Sequence, residues 1–92
     1  MSAVQIYTTL VCVHCVAAKR LMKRKGVEYE EIDVTRDAEK RRWLVETTGQ
    51  RTVPQIFIGG RPYGGYTDVV ALDRAGELDG LLAAAARGER SG

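Results

Sequence analysis

Within its first 34 residues the chain changes hydrophobic period twice, and that limits the possible fold more than any other feature of the sequence. Val4 and Ile6 alternate with Gln5 over residues 3–7, the period of two expected of a strand. After a loop at 8–11, residues 13–25 switch to helical spacing. Ala17, Ala18, Leu21 and Met22 share one face, and Lys19, Arg20, Lys23 and Arg24 the opposite one. Gly26 then ends the helix as a C-cap, behind a cationic last turn that suits the negative end of the helix dipole. Residues 29–34 return to alternation, Tyr29, Glu31 and Asp33 against Glu30, Ile32 and Val34, with an imperfect polar pattern. A strand, a helix and a strand on short links form a crossover unit whose strands run parallel.

The remaining elements complete one sheet. Residues 37–48 form a second helix, with Asp37 as N-cap and Gly49 just past its end. Its inner face includes Leu44, Val45 and Thr48, and Trp43 covers the flank. Residues 55–58, Gly59-Gly60 and 61–63 read as a hairpin with a two-residue turn. Pro62 has no N–H to give a ladder, so its strand belongs at a sheet edge. Helical segments follow at 67–74 and 77–86, the second with Leu78, Leu81, Leu82 and Ala85 facing the core. The order βαβ, α, ββ, α predicts an α/β chain of thioredoxin-like fold, a four-stranded mixed sheet flanked by helices. One domain is expected over residues 1–86 and a flexible tail over 87–92.

Composition narrows the function classes. A net charge of +2 is too balanced to favour nucleic acid as partner. No apolar run approaches the roughly 20 residues of a membrane span. Met1-Ser2-Ala3-Val4 offers neither a basic nor an apolar leader segment, so the reducing cytoplasm is the expected compartment; a monomer is expected there as well. There a lasting structural disulfide between Cys12 and Cys15 is disfavoured. Two thiols and His14 fall short of the usual four zinc ligands, so no metal is expected and redox chemistry is the better reading.

Cys12 falls just before the helix that starts near Val13, where free N–H groups and the positive dipole end favour a thiolate. Cys12 is the expected nucleophile and Cys15, one turn in and more buried, the resolving thiol. His14 between them admits two readings, a proton-sharing partner of Cys12 or a solvated rim residue. Thr52-Val53-Pro54 precedes the hairpin. Were Pro54 cis, Val53 would offer its backbone N–H and C=O to a cysteine-containing peptide by strand addition. Gly64-Gly65-Tyr66-Thr67-Asp68 leads into the third helix, with Thr67 as N-cap and the helix N-terminus suited to a carboxylate. Arg51 is a candidate contact for a second carboxylate.

Together these segments resemble the dithiol glutaredoxins over residues 4–82. They are Ile6-Tyr7-Thr8, the Cys pair, Gly26-Val27, Glu30-Glu31-Ile32-Asp33-Val34, Thr48-Gly49, Arg51-Thr52-Val53-Pro54-Gln55-Ile56-Phe57-Ile58-Gly59-Gly60, Gly64-Gly65 with Asp68, and Ala71-Leu72-Asp73. The resemblance implies a glutathione-dependent thiol–disulfide oxidoreductase acting on glutathionylated or disulfide-containing proteins. It implies a glutathione site of His14, Arg51, Thr52, Val53, Pro54, Gly65, Tyr66, Thr67 and Asp68. The glutathione cysteinyl backbone would pair with Val53 beside Pro54. The γ-glutamyl carboxylate would sit on the Thr67 and Asp68 N–H groups, with the Asp68 side chain near the ammonium. Arg51, assisted by Gln50, would take the glycyl carboxylate. The chain departs from the usual Cys-Pro-Tyr-Cys with Cys12-Val13-His14-Cys15, and has Thr9 where many relatives carry lysine, which implies weaker glutathione binding than the family norm. An alternative the resemblance allows is a dimer holding a [2Fe–2S] cluster through Cys12 and glutathione thiolates. A third, a redoxin fed by thioredoxin reductase, fits less well because such proteins lack the Gly-Gly-x-x-Asp segment retained here.

Overall fold

The computed structural model describes residues 3–10 and 12–87. The elements are β1 (Val4–Thr8), α1 (Val13–Arg24), β2 (Tyr29–Asp33), α2 (Ala38–Thr48), β3 (Gln55–Ile58), β4 (Arg61–Pro62), α3 (Tyr66–Arg74) and α4 (Leu78–Ala86). The strands form one sheet in the order β2-β1-β3-β4. β1 pairs with β2 in parallel, Val4 opposite Tyr29, and with β3 antiparallel, Ile6 opposite Ile56. β4 pairs antiparallel with β3 and leaves Pro62 on the edge, where a missing donor does no harm.

The central strands carry the core on both faces. Val4, Ile6, Ile56 and Ile58 pack with Ala18, Leu21 and Met22 of α1, Val69 of α3 and Leu78, Leu82 and Ala85 of α4. A second, smaller cluster joins Tyr7 and Phe57 to Val34 and to Leu44 of α2. Alternation in β1 is therefore between two packed faces rather than between core and water, and Tyr7 and Thr8 are buried as well. Trp43 extends the second cluster outward: its ring stacks on Phe57 at 5.7 Å and tilts against Tyr7 at 5.6 Å, covering the flank as expected.

Local chemistry accounts for most boundaries. The Asp37 carboxylate accepts from the Lys40 N–H at 2.9 Å and caps α2, and Gly49 closes it at φ 73°, a left-handed conformation natural to glycine. Several expectations need correction. Of the predicted inner face of α2, Leu44 is buried, whereas Val45 and Thr48 are half-buried. Helix α3 starts at Tyr66 with Gly65 as N-cap, so Thr67 lies inside the first turn. The predicted strand 29–34 ends at Asp33, although the Val34 N–H still donates to the Thr8 carbonyl at 2.9 Å. Of the expected tail, Arg87 caps α4 and residues 88–92 lie outside the described residues, as does Val11 of the first loop. Among the described residues no helix is long and apolar enough to cross a membrane.

Candidate active site

The β1–α1 junction places the two sulfurs. Cys12 is the N-cap of α1, in extended conformation at φ −156° and ψ 108°, and its Sγ accepts from the Cys15 N–H at 3.2 Å. A cap of this kind normally uses an oxygen of Ser, Asp or Asn to satisfy a free helix N–H; here sulfur takes that place. The same thiol points its S–H at the Val53 carbonyl, 3.7 Å away and 41 positions on in the sequence. The Val53–Pro54 peptide bond is cis.

Cys15 sits in a different environment. It is 2% exposed, and burial, with a hydrogen bond to Cys12 added, pushes its thiol up to about 12. A backbone hydrogen bond from Thr9 and the charge of Lys19 act in the opposite sense. At neutral pH Cys15 therefore keeps its proton, and the half-buried Cys12 is the sulfur that a solvent-borne disulfide meets.

Two clefts meet at the segment carrying Val53. One, of about 540 Å³, is lined by His14, Gln50, Arg51, Thr52, Val53, Pro54, Gly65, Tyr66, Thr67 and Asp68, within the roughly 300–1,000 Å³ typical of small-ligand sites. Every residue proposed from the sequence as a ligand contact thus borders one space. His14 is exposed, and its ring lies 6.3 Å from that of Tyr66. The other cleft, about 580 Å³, shares Gln50, Arg51, Thr52 and Val53 and runs along α2 past Arg41 and Arg42. A third cleft, of about 710 Å³ between α4 and the end of α1, is remote from the cysteines and lined by Ala3, Val27, Leu82 and Ala85 among others. It holds neither a thiol nor any of the proposed ligand contacts.

Hydrogen bonds fix the loops that frame the site. The Gly65 N–H donates to Asp68 Oδ2 at 2.9 Å, so the carboxylate folds back over the start of α3 and leaves the Tyr66, Thr67 and Asp68 N–H groups as the first turn. Gly64 takes φ 95°, and a Cβ there would lie 2.9 Å from Asp68 Cγ, so both backbone and space demand glycine. The Ile56 N–H donates to the Gly64 carbonyl at 2.8 Å and ties this turn to β3. Gln55 was not singled out from the sequence as a site residue. Fully buried, its Nε2 donates to the Thr52 carbonyl at 2.8 Å and to Gln50 Oε1 at 3.1 Å, which holds the loop that presents Arg51. The available signal was a lone amide at the head of an otherwise apolar strand. Among the described residues no group of three or more His, Cys, Asp or Glu side chains is placed to hold a metal ion.

Comparison with known proteins decides the family. The glutaredoxin family model matches residues 4–62. The chain belongs to the glutaredoxin family. A glutaredoxin of Pseudomonas aeruginosa is 49% identical over 84 residues, covering 91% of this chain and 100% of that protein. Glutaredoxin 3 of Escherichia coli K12 is 44% identical over 82 residues, covering 89% and 99%. Among solved structures, a buckwheat glutaredoxin–glutathione complex superposes with a TM-score of 0.86 at 30% identity, covering 92% of this chain and 80% of that one. The fold of this glutaredoxin is accordingly thioredoxin-like, and its class of chemistry is thiol–disulfide oxidoreduction.

Proposed function

We propose that this glutaredoxin is glutathione-dependent and reduces protein–glutathione mixed disulfides and protein disulfides, acting as a monomer in a reducing cytoplasm. The observation that carries the reading is that Cys12 Sγ lies 3.7 Å from the carbonyl of Val53, a residue that borders a cleft shared with Arg51 and the first turn of α3. Glutathione is an extended tripeptide with two carboxylates and one ammonium. The Val53 segment offers its cysteinyl backbone a strand-like partner. The Tyr66–Asp68 N–H groups suit the γ-glutamyl carboxylate, the Asp68 carboxylate the ammonium, and Arg51 with Gln50 the glycyl carboxylate. His14 and Tyr66 form the side wall. The buckwheat relative, solved with glutathione, supports the ligand class.

In the proposed cycle the Cys12 thiolate attacks the glutathionyl sulfur of a client mixed disulfide. That S–S bond breaks, the client leaves as a thiolate and takes a proton from solvent, and a Cys12–glutathione disulfide remains. A glutathione thiolate then attacks the glutathionyl sulfur, releasing oxidised glutathione and restoring Cys12. With a protein disulfide, Cys12 first forms a mixed disulfide with the client. Cys15 then attacks Cys12 Sγ, expels the client thiolate and closes the Cys12–Cys15 disulfide, which two glutathiones reduce.

The test couples glutathione, glutathione reductase and a small mixed disulfide, with thioredoxin reductase as control. Cys12→Ser abolishes turnover, and Cys15→Ser retains it. A Cys15→Ser protein as inactive as Cys12→Ser toward the small substrate, or reduction by thioredoxin reductase but not by glutathione, overturns the reading. A visible absorption band in protein purified without oxygen instead favours the cluster-holding dimer.

A further inference from the structure

The surroundings of Cys15 contain a charge that the cycle above does not use. Lys19 lies one helical turn beyond Cys15, on the same side of α1. Its Nζ is 3.0 Å from Glu31 Oε2 on β2, and the same oxygen accepts from the buried Thr8 hydroxyl at 3.0 Å. The lysine is thus drawn off the solvent-facing stripe of Arg20, Lys23 and Arg24 and pinned across the sheet edge, with its side chain 27% exposed. Thr8 precedes Thr9, whose backbone bonds to Cys15, so one short stretch of β1 and its loop touches both ends of the arrangement. The groups facing Cys15 are Cys12, the Thr9 backbone and Lys19; those facing Lys19 are Glu31, Tyr29 and Cys15.

We propose that Lys19 is a positioning residue for the resolving step: its ammonium, anchored by Glu31 and Thr8, favours the ionised form of Cys15 as that thiol attacks the Cys12–client mixed disulfide. The proposal rests on the two-thiol route set out above and adds the group that assists its second half. In that step Cys15 releases its proton to solvent, its sulfur bonds to Cys12 Sγ, the bond between Cys12 and the client breaks, and the client thiolate leaves and is protonated. The electrons are those of the disulfide already present, so no outside oxidant enters. A cation near the attacking sulfur stabilises the anion that a buried site otherwise disfavours. Burial opposes ionisation of Cys15, and Lys19 is the cation that acts against it. Glu31 tempers this effect, because it neutralises Lys19 in part while fixing its place. The resolving thiol is thereby kept unreactive in the resting protein without being disabled.

The route to Cys15 separates the effect from general damage. Deglutathionylation of a small mixed disulfide does not require Cys15, whereas reduction of a protein disulfide by the two-thiol route does. Lys19→Met should slow reduction of a protein disulfide about threefold, a roughly tenfold loss of thiolate per unit of titration offset by the greater nucleophilicity of the more basic sulfur, and make the acid-trapped Cys12–client mixed disulfide accumulate. It should slow the small-substrate reaction less than twofold. In a Cys12→Ser background, Lys19→Met should slow alkylation of Cys15 by about the same factor, and Lys19→Arg should restore both rates. Equal losses in both assays, or an unaltered Cys15 alkylation rate, overturn the assignment. Absence of glutathione turnover in the unmodified protein would instead sink the glutathione reading, and the alkylation series, which needs no glutathione, would still decide the role of Lys19.

Discussion

Reactivity of Cys15 offers the sharpest quantitative test of the site. The perturbation is Cys12→Ser, which leaves Cys15 as the only thiol in the chain. With its thiol pushed up to about 12, Cys15 is ionised at pH 7.5 to about 3 parts in 10⁵, against roughly one part in ten for a free cysteine near 8.5. That lowers the reactive fraction about 3,000-fold. The rarer thiolate is also the more basic and more nucleophilic one, which returns a factor of roughly 25 to 50 for a Brønsted slope of about 0.4–0.5. The net expectation is alkylation by iodoacetamide about a hundredfold slower than for a free cysteine, and slower again because only 2% of the residue is exposed. Burial is the largest cause of the shift and survives the substitution, and serine keeps a hydrogen-bonding group at position 12. The rate should climb about tenfold per pH unit from 7 through 10 without levelling near 8.5, and unfolding in urea should abolish the protection. Mass spectrometry of timed, quenched samples measures it. A folded Cys12→Ser protein that labels at the free-cysteine rate, or whose rate levels off near pH 9, refutes the argument that burial holds the proton on Cys15. The sign of the linked stability follows. The folded state holds this proton more tightly than the unfolded chain, so its contribution is complete below about pH 9 and is lost as the pH rises toward about 12.

Other residues give independent checks. Gly64→Ala forces a side chain into a positive-φ position against the Asp68 carboxylate, and should cost about 1–3 kcal/mol in denaturant melts while raising the KM for glutathione. Asp68→Ala removes the acceptor of the Gly65 N–H, so thermal denaturation should report a loss of about 1 kcal/mol. In steady-state kinetics the same variant should raise the KM for glutathione more than it lowers kcat, because this carboxylate is assigned to a part of the ligand that does not react. Ile56→Ala empties a fully buried position on the central strand β3 and should cost about 2–5 kcal/mol by chemical denaturation, with m unchanged.

Element order and sheet topology were legible because each relied on a strong local signal. The period change around the Cys pair implied the parallel β1–β2 unit, and Pro62 marked the edge strand that β4 proves to be. The start of α3 was misplaced by a competition between two rules. Threonine is the better N-cap by side-chain chemistry, yet the chain turns at Gly65 and recruits its cap from Asp68, three residues downstream. The inner face of α2 was drawn too wide because Leu44 is the residue that reaches Tyr7 and Phe57, whereas Val45 borders the open cleft along α2 and the Thr48 hydroxyl turns back to the Leu44 carbonyl. At the site, Cys12, Cys15 and the cleft-lining residues were visible as motif segments. Gln55 was not, because its contribution is made through hydrogen bonds to a loop and leaves no mark on periodicity. The link between Lys19, Glu31 and Thr8 was hidden for a similar reason: it joins three elements, and within α1 alone the lysine belongs to a basic stripe.

Cys12 lies near the beginning of the chain, whereas the segment that donates Val53 is 41 positions further along and the turn of Gly64 to Asp68 comes later still. During synthesis from the N-terminus the sulfur therefore emerges from the ribosome well before the walls that surround it. Until roughly two-thirds of the polypeptide has been made, it is an ordinary exposed cysteine beside another. Selective reactivity is thus a property of the finished domain and not of the four-residue motif.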